Sequence, residues 1–371
     1  MLELTNEQRK CFGLEPVDAA WEKITVKPGP NDDYATYAYL DGQRVRKVIL
    51  SCEEESPKAK YCEYGSDARL SPDGRMLLPK TDRGKAKPFT ACNLLKTVGK
   101  GMALQFSGGS LYLVNLTSQQ CFYRADYEGL SLDGISAFAE WVRDWCERTG
   151  ERELAETEDF AARGRTRQRY REGDLFLFRL GRGLYGYGRI LLDFAEMRRK
   201  KVPFWDLFMG KPLCVAVYHI ATERDDVKPE ELLGLKTLPP QMIMDNIFFY
   251  GECTVIGNAP VTEDWDYPIH YGEPVNVTET GLRYQCGRSY IARENEKPLY
   301  KGFVRGGIGW RLYVQLPILR RCIEEGSNEP YWRLSYPAAV GGDLRAPGCS
   351  RELAAIRRQL GIDDGGSGES R

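Results

Sequence analysis

Apolar and polar residues alternate over short stretches through the first 130 residues, and turns containing Gly, Asp and Pro separate those stretches. Period-two alternation broken by turn residues predicts a β-meander. Segments 34–40 and 43–50 flank Asp41-Gly42, a dipeptide suited to the positive φ angles of a tight hairpin. Met102, Leu104 and Phe106 alternate before Ser107-Gly108-Gly109, and Leu111 and Leu113 alternate after it, which predicts a second hairpin. Residues 53–100 show no clear period. The pattern then changes: Ile135, Phe138, Val142 and Trp145 recur at helical spacing behind Asp133, a good N-cap residue, so an amphipathic helix closes the first domain.

From 151 to 171 the chain is strongly charged, with an acid-rich ELAETEDF stretch followed by Arg163, Arg165, Arg167, Arg169 and Arg171 at alternate positions. This segment reads as a solvated, partly helical linker, and no phosphate-gripping role is assigned to its arginines. Beyond it, 173–194 reads as strand, glycine-rich turn, strand, with further β-like segments at 212–220, 246–256 and 282–291. Short helices are expected at 229–235, at 317–325 with Leu319, Cys322 and Ile323 on one face, and after Ser350 with Leu353, Ile356 and Leu360 before Gly361. The expected fold is α+β, mostly β, with two β-rich domains and a few short helices. Residues 1–150 form the first domain, 151–171 the charged linker, 172–361 the second domain, and 362–371 a disordered tail. No internal repeat at a fixed period is visible.

The 52 basic and 53 acidic side chains nearly cancel, so no overall field draws the chain to nucleic acid or to an anionic membrane. The N-terminus lacks the basic start and apolar run of a signal peptide, and no stretch approaches the roughly 18 apolar residues of a membrane span. The expectation is a soluble, cytoplasmic protein with no direct nucleic-acid or membrane partner. Eleven cysteines are scattered without a CxxC pair, which argues against structural zinc and fits small core residues in a reducing compartment.

Catalytic motifs are weak. Gly181, Gly183 and Gly186 satisfy GxGxxG, but a strand follows them where a phosphate-binding helix would have to start, so a hairpin is the better reading. His219, in an apolar strand, and His270, in a turn, are isolated from each other and read as structural. GxSxG, HExxH and a Walker lysine motif are absent. No catalytic residue, cofactor or metal ligand is therefore assigned.

One compositional block stands out. Residues 241–280 carry Asp245, Glu252, Glu263, Asp264, Asp266, Glu273 and Glu279 without a lysine or arginine, interleaved with Phe248, Phe249, Tyr250, Trp265, Tyr267 and Tyr271. Glu252, Glu263, Asp264, Trp265, Asp266, Tyr267 and Tyr271 make a candidate surface for a basic partner, with aromatic anchors and steering carboxylates. An ordinary acidic loop is the equal alternative. A divalent-cation site is a third, without EF-hand spacing.

The run GDLFLFRLGRGLYGYGRIL resembles the opening hairpin of the immunity protein 26 family, through Gly173, Asp174, Tyr185, Gly186, Gly188 and Arg189. PLCVAVYHI, FFYGECTVIGNAPV and WDYPIHYG look like its later strands, so the resemblance covers about 168–272. It implies a mostly β domain of bacterial polymorphic toxin systems that binds and blocks a cognate toxin, whose groove would be basic if that toxin is a nuclease. Arg189 is then expected to make a structural ion pair or carbonyl contact, and Tyr185, Gly186 and Gly188 to preserve the hairpin. The family name is also attached to a phosphotriesterase, which makes a metal-dependent hydrolase the rival reading, with Asp245, Glu252, Asp264 or Asp266 as carboxylate ligands. A small-molecule or peptide sensor with a pocket beside Tyr185 and Tyr187 is a third.

Overall fold

The computed structural model describes residues 2–29, 34–52, 59–195, 199, 211–273, 280–300, 308–333 and 342–362. Antiparallel sheets with short helices make the fold α+β with strand dominant. The chain divides into two units. The first comprises 1–167 with 179–184 and 250–252, and the second 168–178, 185–249 and 253–371.

The first unit is built on one ten-stranded antiparallel sheet. Its strands are β1 (Glu22–Val26), β2 (Ala35–Asp41), β3 (Arg44–Ser51), β4 (Lys60–Ser66), β5 (Arg69–Leu70), β6 (Met76–Leu78), β7 (Lys87–Pro88), β8 (Gly99–Ser107), β9 (Ser110–Asn115) and β10 (Gln120–Arg124). Helices α1 (Asn6–Cys11), α2 (Ala91–Leu94), α3 (Gly134–Glu147) and α4 (Glu151–Ala161) accompany it. In the β2–β3 hairpin Asp41 pairs with Arg44, which leaves Gly42-Gln43 as the loop, and Gly42 alone of the two takes positive φ, at 60°. In β8–β9, Ser107 faces Ser110 across Gly108 and Gly109, both at positive φ, as a type I′ hairpin turn requires.

Strand alternation gives the sheet two apolar faces. Met102, Leu104 and Phe106 join Leu111, Leu113 and the α3 residues Phe138, Trp141, Val142 and Trp145 on one side. Ala103 faces the other, with Val48, Leu50 and Leu77. Asp133 occupies the α3 N-cap position but makes no side-chain cap bond. The charged segment expected as a linker begins as a packed helix: Phe160 of α4 is 3 % exposed in the first core, and Asn115 Nδ2 donates to the carbonyls of Phe160 and Ala161, each at 3.0 Å. A buried charge network crosses the same sheet. Glu63 accepts from Lys47 Nζ at 2.6 Å, Arg9 Nε at 2.7 Å and Tyr61 Oη at 2.6 Å, and the Lys47 and Glu63 side chains are wholly buried.

The second unit holds a five-stranded sheet in the order β14-β13-β12-β11-β15 and a three-stranded sheet β16-β17-β18. These strands are β11 (Asp174–Gly181), β12 (Leu184–Asp193), β13 (Pro212–Val217), β14 (Gln241–Met244), β15 (Thr254–Asn258), β16 (Ile269–Gly272), β17 (Leu282–Cys286) and β18 (Ser289–Arg293). The β11–β12 connection is a hairpin turn with Gly183 at φ 61°, not a phosphate loop. Helices α5 (Pro229–Leu233), α6 (Asn246–Phe249), α7 (Leu316–Glu325), α8 (Glu329–Trp332) and α9 (Ser350–Leu360) complete the unit.

Several expected elements change form. Segment 246–256 is not one strand: the amides of Phe248 and Phe249 both donate to Asp245 O, which turns the chain into α6 before β15 begins. Segment 282–291 is a hairpin folded at Gly287, φ 52°. In α7, Leu319 and Cys322 are buried but Ile323 is 39 % exposed. Ser350 is the first residue of α9, and the N-cap position is held by Cys349, which makes no side-chain cap bond. No disulfide joins the cysteines, of which Cys52, Cys214, Cys253 and Cys322 are buried. The expected disordered tail lies outside the described residues except for its first residue, Ile362.

Candidate functional site

On one face of the five-stranded sheet two apolar clusters flank a buried cation, Arg189. Leu175, Tyr187, Tyr218, Val227 and Leu232 form one cluster, and Leu191, Cys214, Ala216 and Met242 belong to the other. Arg189 alternates with Tyr187 along β12 and is registered opposite Ala216, so its side chain rises from the same face. It is 2 % exposed. A guanidinium so buried must find acceptors, because an unpaired charge in such surroundings is costly.

Those acceptors come from the chain leaving β15. Arg189 Nη2 donates to the carbonyls of Ala259 at 3.1 Å and Pro260 at 2.6 Å, and Nη1 meets the Glu263 carboxylate at 3.2 Å. The first residues of the glycine-rich segment hold the same place. Gly173 O accepts from Ala259 N at 3.0 Å, and the buried Asp174 carboxylate accepts from Asn258 Nδ2 at 2.7 Å. Gly173 takes φ 86°, and a Cβ there would stand 2.3 Å from Ala259 O, so both conformation and space require glycine. Gly188 is required by contact alone: its Cβ would fall 2.4 Å from Phe176 Cζ and 2.7 Å from Ala216 O. Tyr185 is partly buried and bridges to Thr222 through the backbone, while Gly186 lies buried within β12. Gly173, Asp174 and Arg189, separate in sequence, thus converge on the base of loop 258–267.

The far end of that loop is fixed by its aromatic residues. Trp265 and Tyr267 are partly buried against the Cys214–Met242 cluster, and Tyr267 lies so close to Gly287 that a Cβ there would be 2.8 Å from its ring. The expected aromatic anchors for a partner therefore face the protein's own interior. Tyr271 is 1 % exposed in β16, where its hydroxyl donates to Gln359 at 2.6 Å and accepts from Leu299 N at 2.7 Å. Glu252 belongs to the first unit, where burial pushes its carboxyl up and Arg124 opposes the shift.

Glu263, Asp264 and Asp266 remain exposed together on the clamped loop. The Glu263 carboxyl is held below the usual range by its own backbone N–H, helped by Arg189 and the Thr262 N–H, so it stays ionised. The Asp266 carboxyl is raised by partial desolvation, and its backbone carbonyl accepts from Arg345 Nη1 at 2.6 Å. Asp245 is buried and accepts from Tyr170 Oη at 2.9 Å. Glu273 is exposed, and Glu279 lies outside the described residues. The site is a fixed loop presenting carboxylates to solvent, suited to electrostatic recognition of a cationic surface.

The histidines are placed apart from this loop. His219 lies just past β13 with Nε2 3.0 Å from Asn328 Oδ1, and His270 is in strand β16, not in a turn, where burial lowers its pKa to about 4. Among the described residues no group of three or more His, Cys, Asp or Glu side chains is placed to hold a metal ion. No described helix is long and apolar enough to cross a membrane. Asn258, Ala259 and Pro260 escaped the sequence reading because two of them act through backbone atoms, which leave no side-chain signal.

No match to the chain is found among curated proteins or among solved structures. Residues 171–277, the segment that contains Gly173, Asp174, Arg189 and the clamped acidic loop, match the family model of immunity protein 26.

Proposed function

We propose that this protein neutralises a cognate toxin by binding it, with Glu263, Asp264 and Asp266 of the second unit facing a basic surface on the toxin. The matched family implies a toxin-immunity role and a toxin partner. The observation that carries the finer reading is the loop clamp. Arg189, Gly173 and Asp174 hold one end and Trp265 and Tyr267 the other, while Glu263, Asp264 and Asp266 are exposed.

Prearranged charges lose little conformational freedom on binding and raise the encounter rate with a cationic partner. The substrate groove of a nuclease is such a surface, since it is built to receive phosphates. Blocking that groove needs no turnover. The test is the affinity of the toxin recovered from the native host for wild type and for a variant with D264K and D266N. Loss of binding with the fold intact supports the acidic loop as the contact, and unchanged affinity removes it.

A further inference from the structure

The near balance of charge over the whole chain conceals a local excess in the first unit. Residues 69–96, which form β5, β6 and β7 with their turns and α2, carry Arg69, Arg75, Lys80, Arg83, Lys85, Lys87 and Lys96 against Asp73 and Asp82 alone. All of these cations but the half-buried Lys87 are exposed. Elsewhere in the same sheet cations are matched: Lys23 pairs with Glu3, Arg46 with Glu15, Lys47 with Glu63 and Lys100 with Asp67. Among the described residues none of the seven forms an ion pair. The sheet holds them in place. β7 ends one path of the sheet, and Arg69 in β5 stands directly opposite Arg44 in β3 and opposite Leu78 in β6. Residues opposite one another in a ladder share a face, so two arginines without an ion pair stand side by side, an arrangement that is destabilising by itself and relieved by an external anion. Between β6 and β7, Thr81 closes the turn: its N–H donates to Lys85 O at 3.0 Å, its carbonyl accepts from Gly84 N at 2.7 Å, and its hydroxyl accepts from Lys85 N at 3.0 Å. Lys80, Arg83 and Lys85 thus belong to an ordered turn.

We propose that this meander binds the phosphate backbone of double-stranded nucleic acid without reading its sequence. Lysines and arginines that meet the phosphates of a duplex release its condensed counterions, and guanidinium groups match phosphate oxygens in charge and geometry. The sole aromatic ring in the segment, Phe89, packs against the apolar cluster of Val48, Leu50 and Leu77, so it offers no exposed platform for stacking single-stranded bases. Leu78 and, just beyond the segment, Val98 are the exposed large apolar side chains nearby. Two aliphatic groups make too small an anchor for the core of a protein interface or for insertion into lipid, which leaves the charges as the recognition element.

The experiment is a fluorescence-anisotropy titration of the full chain into a fluorescein-labelled DNA duplex of mixed sequence, and into the matching RNA duplex, at several salt concentrations. The expected result is binding to a duplex at about 50 mM salt that weakens at least about tenfold by about 200 mM and is indifferent to base sequence. K80Q/R83Q/K85Q changes only exposed side chains. It should make the slope of log affinity against log salt shallower by roughly 3, with an unchanged melting temperature. K297Q/R320Q/R321Q, which removes the same charge from exposed positions of the second unit, should bind like wild type. Absence of binding to both duplexes at low salt, an equal effect of the two triple variants, or tighter binding to phosphatidylserine vesicles or to polyglutamate than to either duplex would overturn the proposal.

Discussion

Arg189 Nη2 lies 2.6 Å from the carbonyl oxygen of Pro260, a residue 71 positions further along the chain. That bond, with those to Ala259 and Glu263, ties a strand in the middle of the sheet to a loop whose far end is held separately by Trp265 and Tyr267. The positive charge is affordable there only because two carbonyls and a carboxylate receive it.

Replacing Arg189 by methionine keeps the apolar stem and removes every donor. Two carbonyls lose their partner and the Glu263 carboxylate its counter-charge, a cost of roughly 2–4 kcal/mol. Urea denaturation of R189M should show that loss. Amide exchange over 259–267 should quicken more than over β13.

Gly188 gives a steric test of the same sheet. In G188A the new methyl meets Phe176 Cζ at 2.4 Å and Ala216 O at 2.7 Å, and a strand carbonyl cannot retreat. Thermal denaturation should register a loss of roughly 1–3 kcal/mol. G164A, with nothing within 4 Å of the new Cβ, should melt like wild type.

In the first unit, Glu63 is the shared acceptor of Arg9, Lys47 and Tyr61. E63Q preserves its shape and deletes its charge, leaving the buried Lys47 ammonium without its carboxylate and Arg9 with only Glu3 as a counter-charge, a loss of about 3–5 kcal/mol. A denaturant midpoint close to wild type would show that the network is not a stability determinant.

Acid should act through His270. Its folded pKa is depressed to about 4 from an ordinary value of 6.5, so between these values the unfolded chain binds the proton that the folded chain refuses. The stabilisation is full above pH 6.5 and is lost as pH falls from there toward 4, amounting to about 3 kcal/mol across the window. Denaturation at stepped pH should show this decline in wild type and a flatter profile in H270Q.

Turn chemistry made the hairpins at Gly42 and at Gly108-Gly109 legible, because few residues other than glycine take positive φ in so tight a loop. Spacing made α3 legible through Phe138, Val142 and Trp145. Residues 53–100 resisted reading because β4 carries Glu63 on an inward position, where alternation calls for an apolar side chain, and the compensating Lys47 and Arg9 come from outside that segment, from the paired strand β3 and from α1. The acidic block was visible, but its division was not. Trp265, Tyr267 and Tyr271 look like partner anchors in sequence, and only the opposing Gly287 and Gln359 show that they face inward. Arg189 could be suspected of a carbonyl contact, yet no sequence pattern names which carbonyls it takes.

The central claim is that the Arg189-clamped loop recognises a basic toxin through Asp264 and its neighbours. The most direct measurement is calorimetric titration of the toxin captured and identified from the native host into wild type and into D264K/D266N. Asparagine at 266 is chosen because the Arg345 guanidinium already occupies that position's backbone carbonyl. The account predicts an affinity at least about tenfold weaker, equal to about 1.4 kcal/mol, with a reduced salt dependence and an unchanged melting temperature. Equal affinity and equal salt dependence in the two proteins would contradict it.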